Sequence, residues 1–219
     1  MRHVVREGII TAGLLGLAVL AALLLPQQQT PTGFVAFTRV NVSESLMTNC
    51  TTTVSTGTNL VSFYCIPKSI SKDIVLAGFP NIQGVFAYEN GATDPWHAYK
   101  PNLPAWVVID FGNMSRERAY WLLLSQAGTF NYEGYVISGQ TISLPQGWNL
   151  VGMVTDDSIP LSTLFASISG KYSVIMTYNN TAKTYMYYYP SGVGTTFNMS
   201  TPYIGYWINM TSSGTWSPP

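Results

Sequence analysis

Apolar positions along the chain follow two patterns. From Ile9 to Leu25 they form an unbroken run, IITAGLLGLAVLAALLL. As a helix this run spans about 25 Å, close to the hydrocarbon thickness of a bilayer. Beyond Pro26 the apolar residues fall in short clusters separated by Gly, Pro, Asn and Thr, the pattern of strands and turns. In the carboxyl-terminal part Trp148–Val154 reads as an apolar strand, and Ser158-Ile159-Pro160 opens a helix with Ser158 as its N-cap. Leu161, Leu164, Phe165 and Ile168 recur at helical spacing and make one apolar stripe, ended by Gly170. Tyr172–Tyr178 and Tyr185–Tyr189 predict a hairpin around Asn179-Asn180-Thr181, and Thr195–Met199 and Gly205–Met210 predict two further strands.

The same order occurs earlier in the chain. Gly57-Thr58-Asn59-Leu60-Val61 matches Gly147-Trp148-Asn149-Leu150-Val151, and Val85–Asn90 matches Ile175–Asn180. Phe111–Ser115 answers Thr196–Ser200, Tyr120-Trp121-Leu122 answers Tyr206-Trp207-Ile208, and Gly128-Thr129-Phe130 answers Gly214-Thr215-Trp216. Matches in one order at nearly constant spacing point to a duplicated unit. The first copy has a helix around Ser71–Ala77 and an Asn90-Gly91 turn between Val85–Tyr88 and Trp96–Tyr99. The expected organisation is a head and transmembrane or signal segment (1–27), an extended linker with an N-terminal strand (28–56), a first β-rich repeat (57–130), connecting strands that bridge the two sheets (131–146), and a second repeat (147–219). The fold class is mainly β, sandwich-like, with one short helix per repeat behind an N-terminal transmembrane helix.

GWNLVG, a short helix, a Tyr-rich hairpin and then GYWI together resemble a repeat of secreted and cell-surface proteins of archaea and bacteria. The first copy departs from it, with Thr58 in place of Trp and Leu122-Leu123-Leu124 in place of the Ile-x-Met stretch. The resemblance implies an extracytoplasmic β-rich module and brings no catalytic residues. Glu7-Gly8 followed by Ile9-Ile10 resembles the cleavage site of archaeal class III, prepilin-type signal peptides, with cutting between Gly8 and Ile9. That resemblance implies a filament subunit, whereas an uncleaved signal anchor needs no processing and is preferred here.

Charge sets the orientation and narrows the function. Arg2, His3 and Arg6 precede the apolar run and no Lys or Arg follows until Arg39, which keeps the head in the cytoplasm and the C-terminal domain outside. Lys and Arg number 10 against 10 Asp and Glu, and charged residues make up 9% of the chain. Without a basic face, nucleic acid is excluded as a partner. Acceptor sequons at Asn41, Asn49, Asn113, Asn179, Asn198 and Asn209 suit a glycosylated extracellular surface. Cys50 and Cys65 are the only cysteines and are expected to pair in an oxidising compartment.

Catalytic motifs are missing from the sequence: no G-x-S-x-G, H-E-x-x-H or phosphate-cradling glycine loop is present. His97 reads as a structural residue on a strand, and Asp156-Asp157 as a turn before the helix. No metal or cofactor is expected, and no enzymatic activity. Tyr185, Tyr187 and Tyr189 share one strand face, with Tyr188 opposite. Together with Trp207 they are the candidate ligand or subunit contact, the competing reading being that this face is core. Strand alternation also sets Trp207 and Asn209 on one face, although one calls for burial and the other for a glycan; an unused sequon or a bulge between them would reconcile the two. The resulting expectation is a membrane-anchored, glycosylated surface protein, structural or adhesive. Its partners would be the membrane through its N-terminal helix, further copies or other envelope proteins, and glycans. The rivals are a prepilin-type filament subunit and a carbohydrate-binding module or glycan-acting enzyme.

Overall fold

The computed structural model describes residues 47–79, 81–104, 110–136, 139–153, 155 and 157–219. The apolar segment Ile9–Leu25, the Gly8–Ile9 position and Asn41 lie outside the described residues. So does Asp156.

The chain is mainly β, and its strands fall into two sets with the same connectivity. In the first half β1 (Met47–Val54) runs into β2 (Gly57–Ser62), then a short strand β3 (Ile70–Ser71) and helix α1 (Lys72–Leu76). β4 (Ile82–Tyr88), β5 (Trp96–Tyr99), β6 (Asn113–Met114), β7 (Ala119–Leu124) and β8 (Gly128–Tyr135) complete it. The second half holds β9 (Ile142–Leu144), β10 (Gly147–Val151), helix α2 (Leu161–Leu164), a 3-10 turn (Ala166–Ile168), β11 (Tyr172–Asn179), β12 (Thr184–Tyr188), β13 (Tyr206–Met210) and β14 (Gly214–Trp216).

Each half builds one four-stranded antiparallel sheet, in the order β2-β7-β4-β5 in one and β10-β13-β11-β12 in the other. The registers coincide: Gly57 pairs with Leu124 and Val61 with Tyr120, as Gly147 pairs with Met210 and Val151 with Tyr206. Even the irregularity is repeated, between Ile82 and Gly84 on β4 and between Tyr172 and Val174 on β11. The unit also begins earlier than the sequence matches suggest. β1 pairs with β8, and β9 with β14, so that a two-stranded ribbon closes each half. The stretch read as connecting strands across the two sheets is therefore divided, its start finishing β8 and its end forming β9.

The recurring Gly-x-Asn has a local cause. Gly57 and Gly147 sit at φ +82° and +96°, left-handed backbone that side chains disfavour, in the tight turns from β1 to β2 and from β9 to β10. In each turn the Asn side chain bridges back. Asn59 Nδ2 donates to the carbonyls of Ser55 (2.7 Å) and Gly57 (2.9 Å), and Asn149 Nδ2 to those of Pro145 and Gly147, both at 2.9 Å.

Alternation on the strands gives each sheet an inner and an outer face. Inward, Val61, Val85, Tyr120, Leu122 and Leu124 join Phe63, Val75 and Phe130 in one core. Val151, Ile175, Tyr206, Ile208 and Met210 join Leu161, Leu164, Phe165, Ile168 and Trp216 in the other, so the helical stripe does face the sheet. The tyrosine of each Tyr-Trp pair is buried and folds its hydroxyl back on the chain. Tyr120 accepts from Ser115 N (2.6 Å) and Tyr206 from Thr201 N (2.8 Å), and burial pushes both phenols up to about 12. Cys50 and Cys65 form a disulfide, the mark of an oxidising, extracytoplasmic compartment.

Several expected elements differ. Ser158 does not cap the helix; its Oγ donates to Ser200 O (2.7 Å), while Pro160, bridged to Met199, takes the capping position. Thr195–Met199 is no strand: the Thr195 and Thr196 hydroxyls accept from Tyr189 N and Tyr187 N, Thr196 N donates to Tyr187 O, and Thr195 N turns back to Gly192 O. Asn90-Gly91 is not a two-residue hairpin turn: residues 89–95 form a wider loop closed by Glu89 N donating to Pro95 O (2.8 Å). Among the described residues no helix is long and apolar enough to cross a membrane.

Candidate functional site

The outer faces of the two sheets meet each other within one compact unit. Leu60, Ala119 and Leu150 are buried between them. Backbone bonds tie the halves in matching pairs: Ser62 N donates to Tyr203 O (2.8 Å) and Gly152 N to Glu117 O (2.9 Å), at equivalent positions of the two copies. The second hairpin reaches across as well, Asn180 exchanging bonds with both N–H and carbonyl of Leu60 (2.7 and 3.1 Å).

Around this buried seam lies a belt of aromatic rings. The outward residue of each Tyr-Trp pair crosses to the opposite half: Trp207 packs on Tyr88 with centroids 4.9 Å apart, and Trp121 on Tyr178 at 5.1 Å. Each couple is extended by the neighbouring hairpin strand, Trp96 lying 5.9 Å from Trp207 and Tyr185 6.2 Å from Trp121. Trp148 stands edge-on to Trp207 at 6.2 Å and has no aromatic counterpart, since Thr58 holds its place in the first half. All of these rings but Tyr178, together with Met176, line an open groove of about 340 Å³. Trp96 and Tyr185 are the most exposed of them, each 43% accessible, and Trp148 follows at 36%. Partial burial beside Tyr178 and Tyr187 pushes the Tyr185 phenol up.

Of the sequence candidates, Tyr185 and Trp207 reach this groove. Tyr187 shares their face beside Met176, its cross-strand partner, but does not itself line the groove and stacks instead on Tyr189 at 6.3 Å. Tyr88, Trp96, Trp121, Trp148 and Met176 were not singled out from sequence. The signal for two of them was available, because Tyr88 and Trp121 occupy the repeat positions of Tyr178 and Trp207. Asn49, Asn113 and Asn198 are exposed, whereas Asn179 and Asn209 are half-buried. Asn179 uses its Oδ1 to accept from the backbone of Thr181 and Ala182.

Polar groups gather elsewhere. His97 Nδ1 lies 2.9 Å from Asp110, its Nε2 faces Glu89 at 3.8 Å, and Glu89 accepts from Arg118 at 2.8 Å. The Ala98 N–H and His97 hold the Asp110 carboxyl below its usual range. A larger cleft of about 520 Å³ runs past Glu89, Glu117, Arg118 and the β9–β10 turn, but its charges are matched, Lys68 with Glu117 (3.0 Å) and Arg118 with Glu89. Among the described residues no group of three or more His, Cys, Asp and Glu is placed to hold a metal ion. Among the described residues the aromatic groove is thus an apolar surface open to solvent, without charged side chains in its lining. No family model matches this chain, and no curated protein or solved structure matches it significantly.

Proposed function

We propose that this chain is an extracytoplasmic surface protein, anchored by Ile9–Leu25, glycosylated, and structural or adhesive in role, with the aromatic groove as its contact. The observation that carries the reading is the belt of Tyr88, Trp96, Trp121, Trp148, Tyr185 and Trp207 across the seam of the duplicated unit. Rings that only filled a core would be buried, whereas Trp96 and Tyr185 are exposed. Flat aromatic faces without neighbouring charge match the C–H faces of neutral pyranose rings, which pack on them while their hydroxyls stay in water. The disulfide and the low charge support the same setting.

The test is binding of neutral oligosaccharides to the full chain, on a glycan array and by tryptophan fluorescence titration. Trp96→Ala and Tyr185→Ala are each expected to weaken binding about fivefold, the worth of one stacked ring at about 1 kcal/mol. Tyr187→Ala, outside the groove, leaves binding unchanged. Absence of any sugar response, or equal losses in all three variants, overturns the assignment of the groove.

A further inference from the structure

Trp207 and Asn209 do lie on the same face of β13, as alternation requires. The register irregularity sits on the neighbouring strand, between Tyr172 and Val174, and does not separate them. Asn209 is paired directly with Trp148 on one side and with Val174 on the other. Cross-strand partners hold their Cβ atoms about 4.5–5.5 Å apart, so the Asn209 amide and the Trp148 indole rise side by side from one sheet face. The first half has Leu123 and Thr58 at this pair of positions. The acceptor asparagine and the extra tryptophan therefore occur together in one half and are both missing from the other. Of the acceptor sites in the described residues, Asn209 is the one whose register partner lines the groove.

From this pairing we infer that a glycan on Asn209 lays its first pyranose against Trp148 and the edge of Trp207, covering the Trp148 end of the groove. The inference rests on the extracytoplasmic reading above, since only exported chains meet the transferase. Attachment forms a bond from Asn209 Nδ2 to C1 of the sugar. It breaks the bond from C1 to the phosphate of a lipid-linked oligosaccharide donor, which leaves as the lipid phosphate while the amide loses one proton. Thr211, two residues on, completes the acceptor sequon, and its backbone N–H is fixed to Lys171 O at 2.8 Å. The opposing demands at Trp207 and Asn209 are then met together, because the sugar itself supplies the ring's cover. Trp96 and Tyr185, on the outer hairpin strands, are left as the free part of the groove.

The test maps sequon occupancy by glycopeptide mass spectrometry on the full chain from an N-glycosylating host. It then compares acrylamide quenching of tryptophan fluorescence, and denaturation midpoints, for the wild type, Asn209→Gln and Thr211→Val. The valine variant keeps the asparagine while removing the acceptor sequence, which separates loss of glycan from loss of the side chain. Occupied Asn209, with greater quenching and about a fivefold lower folding equilibrium constant in both variants, is expected. The same variants in a Trp148→Ala background should show little further loss. Asn209 empty while Asn49, Asn113 or Asn198 is modified, or occupied with unchanged quenching, overturns the inference and leaves the surface-protein reading intact. A chain exported by that host with every sequon bare overturns both.

Discussion

The seam between the halves is packed closely enough that one added methyl should unsettle it. Ala119 and Gly205 are equivalent residues, each preceding the Tyr-Trp pair of its copy, and they face each other across the seam. A methyl on Gly205 would overlap that of Ala119 and come within 3.1 Å of Leu60 Cδ1. Leu60 is 0% and Ala119 1% exposed, so neither can yield into solvent. Gly205 does not have left-handed backbone, so alanine is conformationally allowed and would by itself gain about 0.4–1 kcal/mol through the unfolded chain. Overpacking costs roughly 1–3 kcal/mol. Gly205→Ala should therefore destabilise by about 1–2 kcal/mol, lowering the midpoint by roughly 2–8 °C in a unit of this size. Adding Ala119→Gly restores a single methyl at the seam and should recover much of the loss, a coupling of at least about 1 kcal/mol in a double-mutant cycle. Denaturation followed by fluorescence reads all four corners of the cycle. A Gly205→Ala protein as stable as the wild type, or strictly additive losses, would refute this packing of the two sheets.

Two further outcomes follow from the fold. Reducing the Cys50–Cys65 disulfide, or replacing both cysteines by alanine, should cost roughly 3 kcal/mol through the loop it closes, seen as a lower midpoint under reducing than non-reducing conditions. Tyr120 and Tyr206 keep their protons up to about pH 12 when folded, but give them up near pH 10 when unfolded. Their stabilisation is complete below pH 10 and is lost as pH rises towards 12, by about 2–3 kcal/mol for each, which an alkaline denaturation series detects as a steep fall confined to that interval.

The repeat was legible because it is written in backbone requirements. Gly57 and Gly147 are needed at positive φ, Asn59 and Asn149 bridge the same turns, and Tyr120 and Tyr206 close the same corners. The stripe of Leu161, Leu164, Phe165 and Ile168 was likewise visible, since burial on one helix face depends only on local spacing. The ends of the unit were harder to read. β1 and β9 are placed by partners about 80 residues away in β8 and some 70 away in β14; spacing along the sequence carries no record of such pairing. The groove was half legible for the same reason. Alternation put Tyr185, Tyr187 and Tyr189 on one face but left open whether that face was core or contact, and that Tyr185 and Trp207 meet Trp121 and Tyr88 depends on how one sheet docks on the other.

That docking explains why a duplicated sheet generates an open aromatic groove at all. One copy alone would leave Leu60 or Leu150, with its flanking rings, facing water, an exposed apolar face that isolated domains rarely keep. Two copies placed face to face bury the small and aliphatic residues at the centre, where Ala119 and Gly205 allow close approach. The larger rings cannot follow them into so narrow a seam and are displaced to its margin, where they remain half-covered. Exact symmetry would make both margins alike. The halves differ at the Thr58–Leu123 and Trp148–Asn209 pairs, so Trp148 lines the groove without a counterpart, while Leu60 and Leu150 repeat at the seam. If the duplication served only to bury apolar surface, nothing would favour adding an exposed Trp148 beside an acceptor asparagine. Its presence makes the margin, unlike the seam, the place where the two halves differ in exposed aromatic surface.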